Sequence, residues 1–524
     1  MRRRSLLAVS AAALAAPRIG NAQAAKPLRF VHDADLALLD PVVSTVYQTR
    51  DHGFMVFDTL YGQDNAYRIR PQMVAGHVIE NDGKTWKLTL REGLMFHDGS
   101  KVLARDAVAS ITRWGKRDSF GQALIARVDE ISAPDDRTIQ FRLKTPFPLL
   151  PDALGHFSPN MCAIMPARLA DTDAFKPISE AVGSGPFRFK ADERVPGVRT
   201  VYEKFVGYVP RDEPAECTAG GKRVYIERVE WLVMPDTATV ANALVAGEID
   251  WSFSVQTDLL PLLRKSRNIA FPFLSPSGVM ATMRFNQLHP PFDNPAVRRA
   301  IMRAVEQSDY MTAVMGEDRA TWRDGVGYFC PDTPMATSAG MENLAGPHDL
   351  GAAHKELDAA GYRGEPVVIL MPSGNPKWQA LAEVSVDLLR KLGFNLDVQS
   401  MDFATMVRRR VNQGPADQGG WNVLHATFSG ADLFTPAVHP YLRGNGRDGT
   451  VGWPTSARIE ELRNAWFAAD SLAARQKVAE QLQLQAFQDV PYIPLGQWRS
   501  PSAHRTDLQG ILTGLALFWN IRRG

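Results

Sequence analysis

Along this chain the spacing of apolar positions alternates between two periods. At 84–91 it reads Lys-Thr-Trp-Lys-Leu-Thr-Leu-Arg, with Trp86, Leu88 and Leu90 set between polar neighbours, as in a half-buried strand. Thr138 to Leu143 alternates in the same way, bounded by Pro134 and Pro146. Leu28 to His32 and Val224 to Met234 add further strand patterns, and Leu94 to His97 continues one beyond a Glu92-Gly93 turn. Asp98-Gly99 signals a tight turn. Arg105 to Trp114 then shifts to helical spacing, as does Thr237 to Ala246, which Gly247 stops.

The second half repeats the alternation. Asp293-Asn294-Pro295 offers a cap followed by proline in the first turn, and Val297, Ala300, Ile301, Ala304 and Val305 follow at helical spacing. Lys377 to Leu392 predicts a helix ended by Gly393, and Phe394, Leu396 and Val398 then alternate as a strand. Ser456 to Asp489 predicts two helices meeting near Asp470-Ser471. Strands interleaved with helices predict an α/β fold. At 524 residues the chain is long enough for two or three domains. No repeat or low-complexity linker separates them.

Apolar residues at 45% and charged residues at 22% exclude a disordered chain or a coiled-coil rod. No apolar run reaches the ~18 residues that a membrane helix needs. Residues 1–24 are a special case. Arg2, Arg3 and Arg4, the apolar stretch Leu6 to Ala16, and Ala22 and Ala24 before a small-x-small cut form a secretory signal peptide cleaved after Ala24. Arg3-Arg4-Ser5-Leu6-Leu7 resembles the twin-arginine variant. Removing this segment takes away four Arg, so the formal charge moves from +2 to −2. That balance offers no basic stripe for nucleic acid. The expected location is the periplasm.

Candidate chemistry is sparse. No HExxH, GxSxG, SxxK or GxxxxGK[ST] occurs. Gly444, Gly446 and Gly449 match GxGxxG, but Pro436, Pro440 and Pro454 around them place the motif in a loop, not between a strand and a helix. The three cysteines, Cys162, Cys217 and Cys330, include no CxxC pair, and the histidines are scattered. No catalytic residue, metal site or cofactor is expected. Buried free thiols or one bridge both fit the cysteines. Arg408-Arg409-Arg410 reads as a solvated face or a helix-end cap. Trp421 and Trp453, in loop-like surroundings, are candidates for a ligand cavity, as is Trp498.

Several segments in order carry a resemblance. They are LDPVVSTVYQTRDHGFMVFDTLYG at 39–62, DGKTWKLTLREGLMFHDGSKVLARDAVASITRW at 82–114, GSGPFRF at 183–189, ALVAGEIDW at 243–251, MRFNQLHPPFDNPAVRRAIMRAV at 283–305, DAAGY at 358–362 and VPYIPLG at 490–496. The chain resembles the extracytoplasmic solute-binding proteins of ABC importers, family 5, the group with the dipeptide- and oligopeptide-binding proteins. The motifs read as structural: Gly183 and Gly185 for close backbone packing, Asn286 and Arg298 as anchors near the lobe crossover.

The resemblance implies a two-lobed periplasmic binding protein fold of type II, with an extra subdomain in lobe 1. Lobe 1 would hold 25–280, with the subdomain at about 51–179. Lobe 2 would hold 281–487, and 488–524 would return to lobe 1. A short peptide or similar amino-bearing solute would lie between the lobes and pass to the permease subunits, the protein acting as a monomer. Asp432, in HATFSGADLFTP at 425–436, is the nearest match to the carboxylate that pairs with a peptide's α-amino group. The resemblance also puts Ser44, Thr45 and Tyr47 in the cleft from lobe 1, and His425 near a basic position for the peptide's other end. The carboxylate-binding arginine of peptide binders is not evident. The same scaffold for an opine, sugar or nickel chelate, a sensory or chaperone binding protein, and an exported hydrolase are the alternatives.

Overall fold

The computed structural model describes residues 26–345 and 348–524. The leader expected over 1–24 lies outside the described residues. Two large sheets organise the rest. The first has seven strands in the order Ile269–Ala270, Ala503–Arg505, Trp251–Ser252, Leu28–Val31, Arg228–Leu232, Arg199–Lys204, Phe187–Phe189. Leu28–Val31 runs parallel to both of its neighbours. Leu28 and Phe30 on one face and Val31 on the other are buried there, as expected of a strand covered on both faces. Phe30 meets Trp251 at 4.8 Å and Phe518 at 5.1 Å between ring centroids, so the chain's last residues close this core.

The second sheet has six strands in the order Trp322–Arg323, Ile493–Trp498, Val279–Phe285, Val423–Ser429, Pro366–Ser373, Asn395–Asp402. The last two are joined by the helix Pro376–Lys391 and pair in parallel, as a crossover helix requires. A four-stranded antiparallel sheet, Val74–Glu80, Thr85–Leu90, Thr138–Leu143, Val128–Ser132, is the core of the subdomain, and helix Ala104–Trp114 packs on it.

Most predicted elements form, because their spacing matched the burial they received. Thr237–Ala246 ends at Gly247 with φ 76°, and Asn294 caps Pro295–Ala304 by accepting the Ala296 N–H at 2.9 Å. A Cβ on Gly183 or Gly185 would strike the backbone carbonyls of Val56 and Met55. Gly444–Gly449 is a turn-rich loop containing the single 3-10 turn Gly446–Asp448.

Three expectations change. Leu94 to His97 is not a strand; Met95 makes one isolated bridge with Lys101 across the Asp98-Gly99 turn. The lobe boundaries move, since Val279–Phe285 and Ile493–Trp498 both lie in the second sheet. The crossings therefore fall between Ala270 and Val279 and between Trp498 and Ala503, so a boundary at 280 cuts a strand and one at 488 comes too early. Asn286 and Arg298 lie at the far end of that sheet. Arg298 donates to the carbonyls of Val490 and Asp489, before the strand that leads back to the crossing. All three cysteines are buried free thiols.

Candidate functional site

A cleft of about 560 Å³ lies between the two lobes. From the first it is lined by Thr45, Val46, Tyr47 and Gln48, by Arg117 to Ser119 and by Ser158 to Asn160; from the second by Trp378, Phe403, Arg410, Ala426 to Phe428, Asp432, Val438, Pro440, Tyr441, Arg443 and Thr450.

Its best-defined feature is the pair Tyr47 and Asp432. Tyr47 is the first residue of the helix Tyr47–Val56. Asp432 ends a one-turn 3-10 helix that follows the strand Val423–Ser429, with the Ser429 hydroxyl accepting the Ala431 N–H. The Tyr47 hydroxyl donates to Asp432 Oδ2 at 2.6 Å and accepts the Ser429 N–H at 2.8 Å. Asp432 Oδ1 is buried and has no hydrogen-bond partner. Arg50, one helical turn after Tyr47, places its guanidinium 4.7 Å from the Tyr47 ring centroid and is held by Asp51 at 3.1 Å.

Burial raises the Asp432 pKa above the usual carboxylate value, with the Arg50 charge, the Tyr47 hydrogen bond and the nearby Ser158 hydroxyl opposing it; Ser158 gives its proton to the Ala431 carbonyl at 3.2 Å and so leaves Oδ1 open. Burial, and then the Asp432 charge, pushes the Tyr47 phenol well up, so its proton stays in place. The pair thus presents one occupied and one open carboxylate oxygen in a dry setting. Such an oxygen suits the N–H of a cation.

The other candidates divide. Thr45 is exposed and lines the cleft. Ser44 is buried behind it and uses its hydroxyl to accept the Val46 N–H at 3.2 Å, a turn role. His425 does not reach the cleft. In the strand Val423–Ser429 the cleft is lined by Ala426, Thr427 and Phe428, and His425, which pairs with Met283, lies before them towards the helix Pro376–Lys391. There it meets Ser385 Oγ at 2.7 Å, and burial lowers its pKa to about 3, so it is a neutral core residue. Trp421 and Trp453 are core as well, 5.9 Å apart, with Trp421 donating to the Arg410 carbonyl.

Sequence reasoning missed Trp378, Ser158, Tyr441, Arg410 and Arg284. Trp378 was inside a predicted helix and donates to Thr427 Oγ1 at 3.1 Å at the cleft wall. Arg408 donates to the Thr405 hydroxyl within its own helix and Arg409 to the Gly420 carbonyl of the following loop, whereas Arg410 lines the cleft. For Arg284 a signal existed: it pairs with Leu424, and parity places it on the face of Ala426 and Phe428.

Two α/β lobes enclosing a cleft lined from both sides, with a buried carboxylate inside, define a solute-binding protein of the two-lobed periplasmic kind. A model of the bacterial extracellular solute-binding proteins, family 5 Middle, matches residues 68–444. The chain belongs to that family. It is 34% identical over 526 residues to a probable peptide ABC transporter periplasmic-binding protein, y4tO, of Sinorhizobium fredii, covering 98% of this chain and 97% of the relative. It is 26% identical to the glutathione-binding protein GsiB of Pectobacterium atrosepticum, covering 97% and 96%. The fold is that of the periplasmic binding protein DppA from Helicobacter pylori in complex with the peptide STSA, with a TM-score of 0.78, 22% identity and coverage of 95% and 98%.

Proposed function

We propose that this protein captures a short peptide, or a similar amino-bearing solute, by seating its ammonium on Asp432 between the lobes, and delivers it to the permease of an ABC importer. The observation that carries this reading is Asp432 itself: Oδ2 is held by Tyr47, and Oδ1 is buried in the cleft wall with no partner. A buried, half-satisfied carboxylate is costly unless something cationic completes it. The relatives named above support a peptide cargo. The protein acts by binding one solute, without turnover and as a monomer. It works in the periplasm after removal of the leader, which Arg3 and Arg4 would direct through the twin-arginine route.

The test is titration of the refolded mature protein with di- to pentapeptides, with opines, sugars and nickel chelates as contrast. Refolding removes any solute carried through purification. Peptide binding that Asp432→Asn weakens supports the reading. Peptide binding unaffected by that change removes the ammonium seat. Binding confined to a non-peptide solute refutes the peptide cargo.

A further inference from the structure

We propose that the lobe 2 side of the cleft, around Arg410 and Arg443 with Arg284 behind, is an anion subsite that selects solutes bearing two carboxylates as well as the ammonium. The inference rests on the cleft being the solute site.

Arg284 is 2% exposed, yet its Nε has no hydrogen-bond partner. Its guanidinium lies 3.2 Å from the ring centroid of Tyr441, a residue of the cleft wall. Burial lowers its pKa to about 10, and the nearby Arg410 charge acts in the same direction. Arg410 lines the cleft, and its Nε is likewise buried without a partner. Among the described residues no carboxylate pairs with either arginine. Glu460 is divided between Arg443 at 3.4 Å and Arg463 at 3.6 Å, and it also accepts the Gly444 N–H.

The buried Arg284 guanidinium feels the charge of the half-buried Arg410, and neither has a carboxylate partner among the described residues. A solute supplying two negative charges there resolves both costs. Arg410 and Arg443 provide the contacts from the wall. Arg284 adds a fixed charge behind Tyr441, held in place by the stacked ring. With the ammonium on Asp432, the solute as a whole carries one net negative charge.

The test is calorimetric titration of the mature protein and of its Arg410→Met and Arg284→Met forms. The probes are glutathione and Ala-Ala-Glu, each with one ammonium and two carboxylates, then Ala-Ala-Ala and its C-terminal amide. The wild type should bind at least one two-carboxylate probe about tenfold or more tighter than Ala-Ala-Ala, with the amide weakest. Arg410→Met should bring these affinities within about twofold of one another, and Arg284→Met should narrow the gap. The solute-free Arg284→Met protein should melt at or above the wild type, which a merely structural arginine would not allow. Equal wild-type affinity for acidic and amidated probes, or a gap that survives Arg410→Met, would overturn the subsite. If no peptide binds at all, the peptide cargo fails by itself and succinate decides the subsite. A wild-type melting rise with succinate that Arg410→Met abolishes supports it; no rise refutes it.

Discussion

Replacing Asp432 by Asn separates charge from shape at the centre of the cleft. The amide carbonyl can still accept the Tyr47 hydroxyl that now lies 2.6 Å from Oδ2, so the cross-lobe contact survives. What goes is the negative charge. A hydrogen bond to a charged group is worth about 1.5–3 kcal/mol, and an ammonium left buried beside an uncharged amide loses about 3–5 kcal/mol. Affinity for the best amino-bearing peptide should therefore fall ~100-fold or more, since each 1.4 kcal/mol is about tenfold.

The solute-free protein should move the other way. Burial raises the Asp432 pKa, so folding favours the protonated carboxyl. That favourable contribution is complete below the unfolded value and is lost as pH rises through the raised one. Above that raised value the wild type bears the cost of an ionised, half-satisfied carboxylate that the Asn form does not. Asp432→Asn should melt at or above the wild type at pH 7, and the difference should shrink as the pH is lowered. Calorimetry of binding and thermal melts at several pH values read both effects. A loss of affinity below about threefold, or a solute-free variant clearly less stable at pH 7, would refute the ammonium seat.

Tyr47→Phe leaves Asp432 Oδ2 and the Ser429 N–H without the phenol, so peptide affinity should drop about tenfold, read by the same titration. Trp421→Ala should cost about 3–5 kcal/mol in denaturant unfolding, because the ring fills core rather than cleft. Acid should destabilise the fold early. His52, His425 and His439 are lowered to about 3 and His97 to about 4 by burial. Their contribution is present above the unfolded histidine value and is lost as pH falls from about 6.5 towards the folded values. Between pH 6.5 and 5 the four together should remove roughly 6–7 kcal/mol, visible as a steep fall in the melting temperature.

Where the sequence was legible, local pattern and final burial agreed. The helix stopped by Gly247 and the strand Thr138–Leu143 appear with the bounds their spacing predicted. The ordered motifs lead to the family and to two lobes and name Asp432 and Tyr47 as separate cleft candidates, while the bond between them is visible only in the structure. The lobe crossings were less legible, because Ile493–Trp498 is apolar enough for either sheet and only its partner Val279–Phe285 decides. His425 is not legible as core because only its tertiary partner, Ser385 on the helix Pro376–Lys391, takes it away from the cleft. Trp421 and Trp453 were misplaced because glycine and proline neighbours suggested loops, whereas the two rings close a core under those loops. Arg410 was taken with Arg408 and Arg409 as one run, and no local rule distinguishes the member that turns inward.

The cross-lobe contacts bear on how a solute is coupled to closure. Ser158 Oγ donates to the Ala431 carbonyl at 3.2 Å, and Ser119 Oγ donates to the Ala437 carbonyl at 3.0 Å. The two serine bonds join neutral partners and are worth about 0.5–1.5 kcal/mol each, while the Tyr47 bond to the carboxylate is worth about 1.5–3 kcal/mol. Against them stand the ionised Asp432 with one open oxygen and the unpaired guanidiniums of Arg284 and Arg410, all less costly when water can reach them. Apolar contacts such as Tyr67 on Phe434 and Phe120 on Phe467 also join the lobes, but closing the empty cleft desolvates charge without pairing it. A solute that places an ammonium on Asp432 and carboxylates on the arginine side reverses the sign of those charge costs. The same groups that make the empty closed form unfavourable would make the loaded one favourable. Differential affinity of that kind is what a ligand needs to shift a two-state equilibrium. Substituting both Asp432 and Arg410 by neutral residues should therefore ease empty closure while weakening its response to solute. Small-angle scattering, with and without peptide, would register this as a compact empty protein and a smaller change on binding.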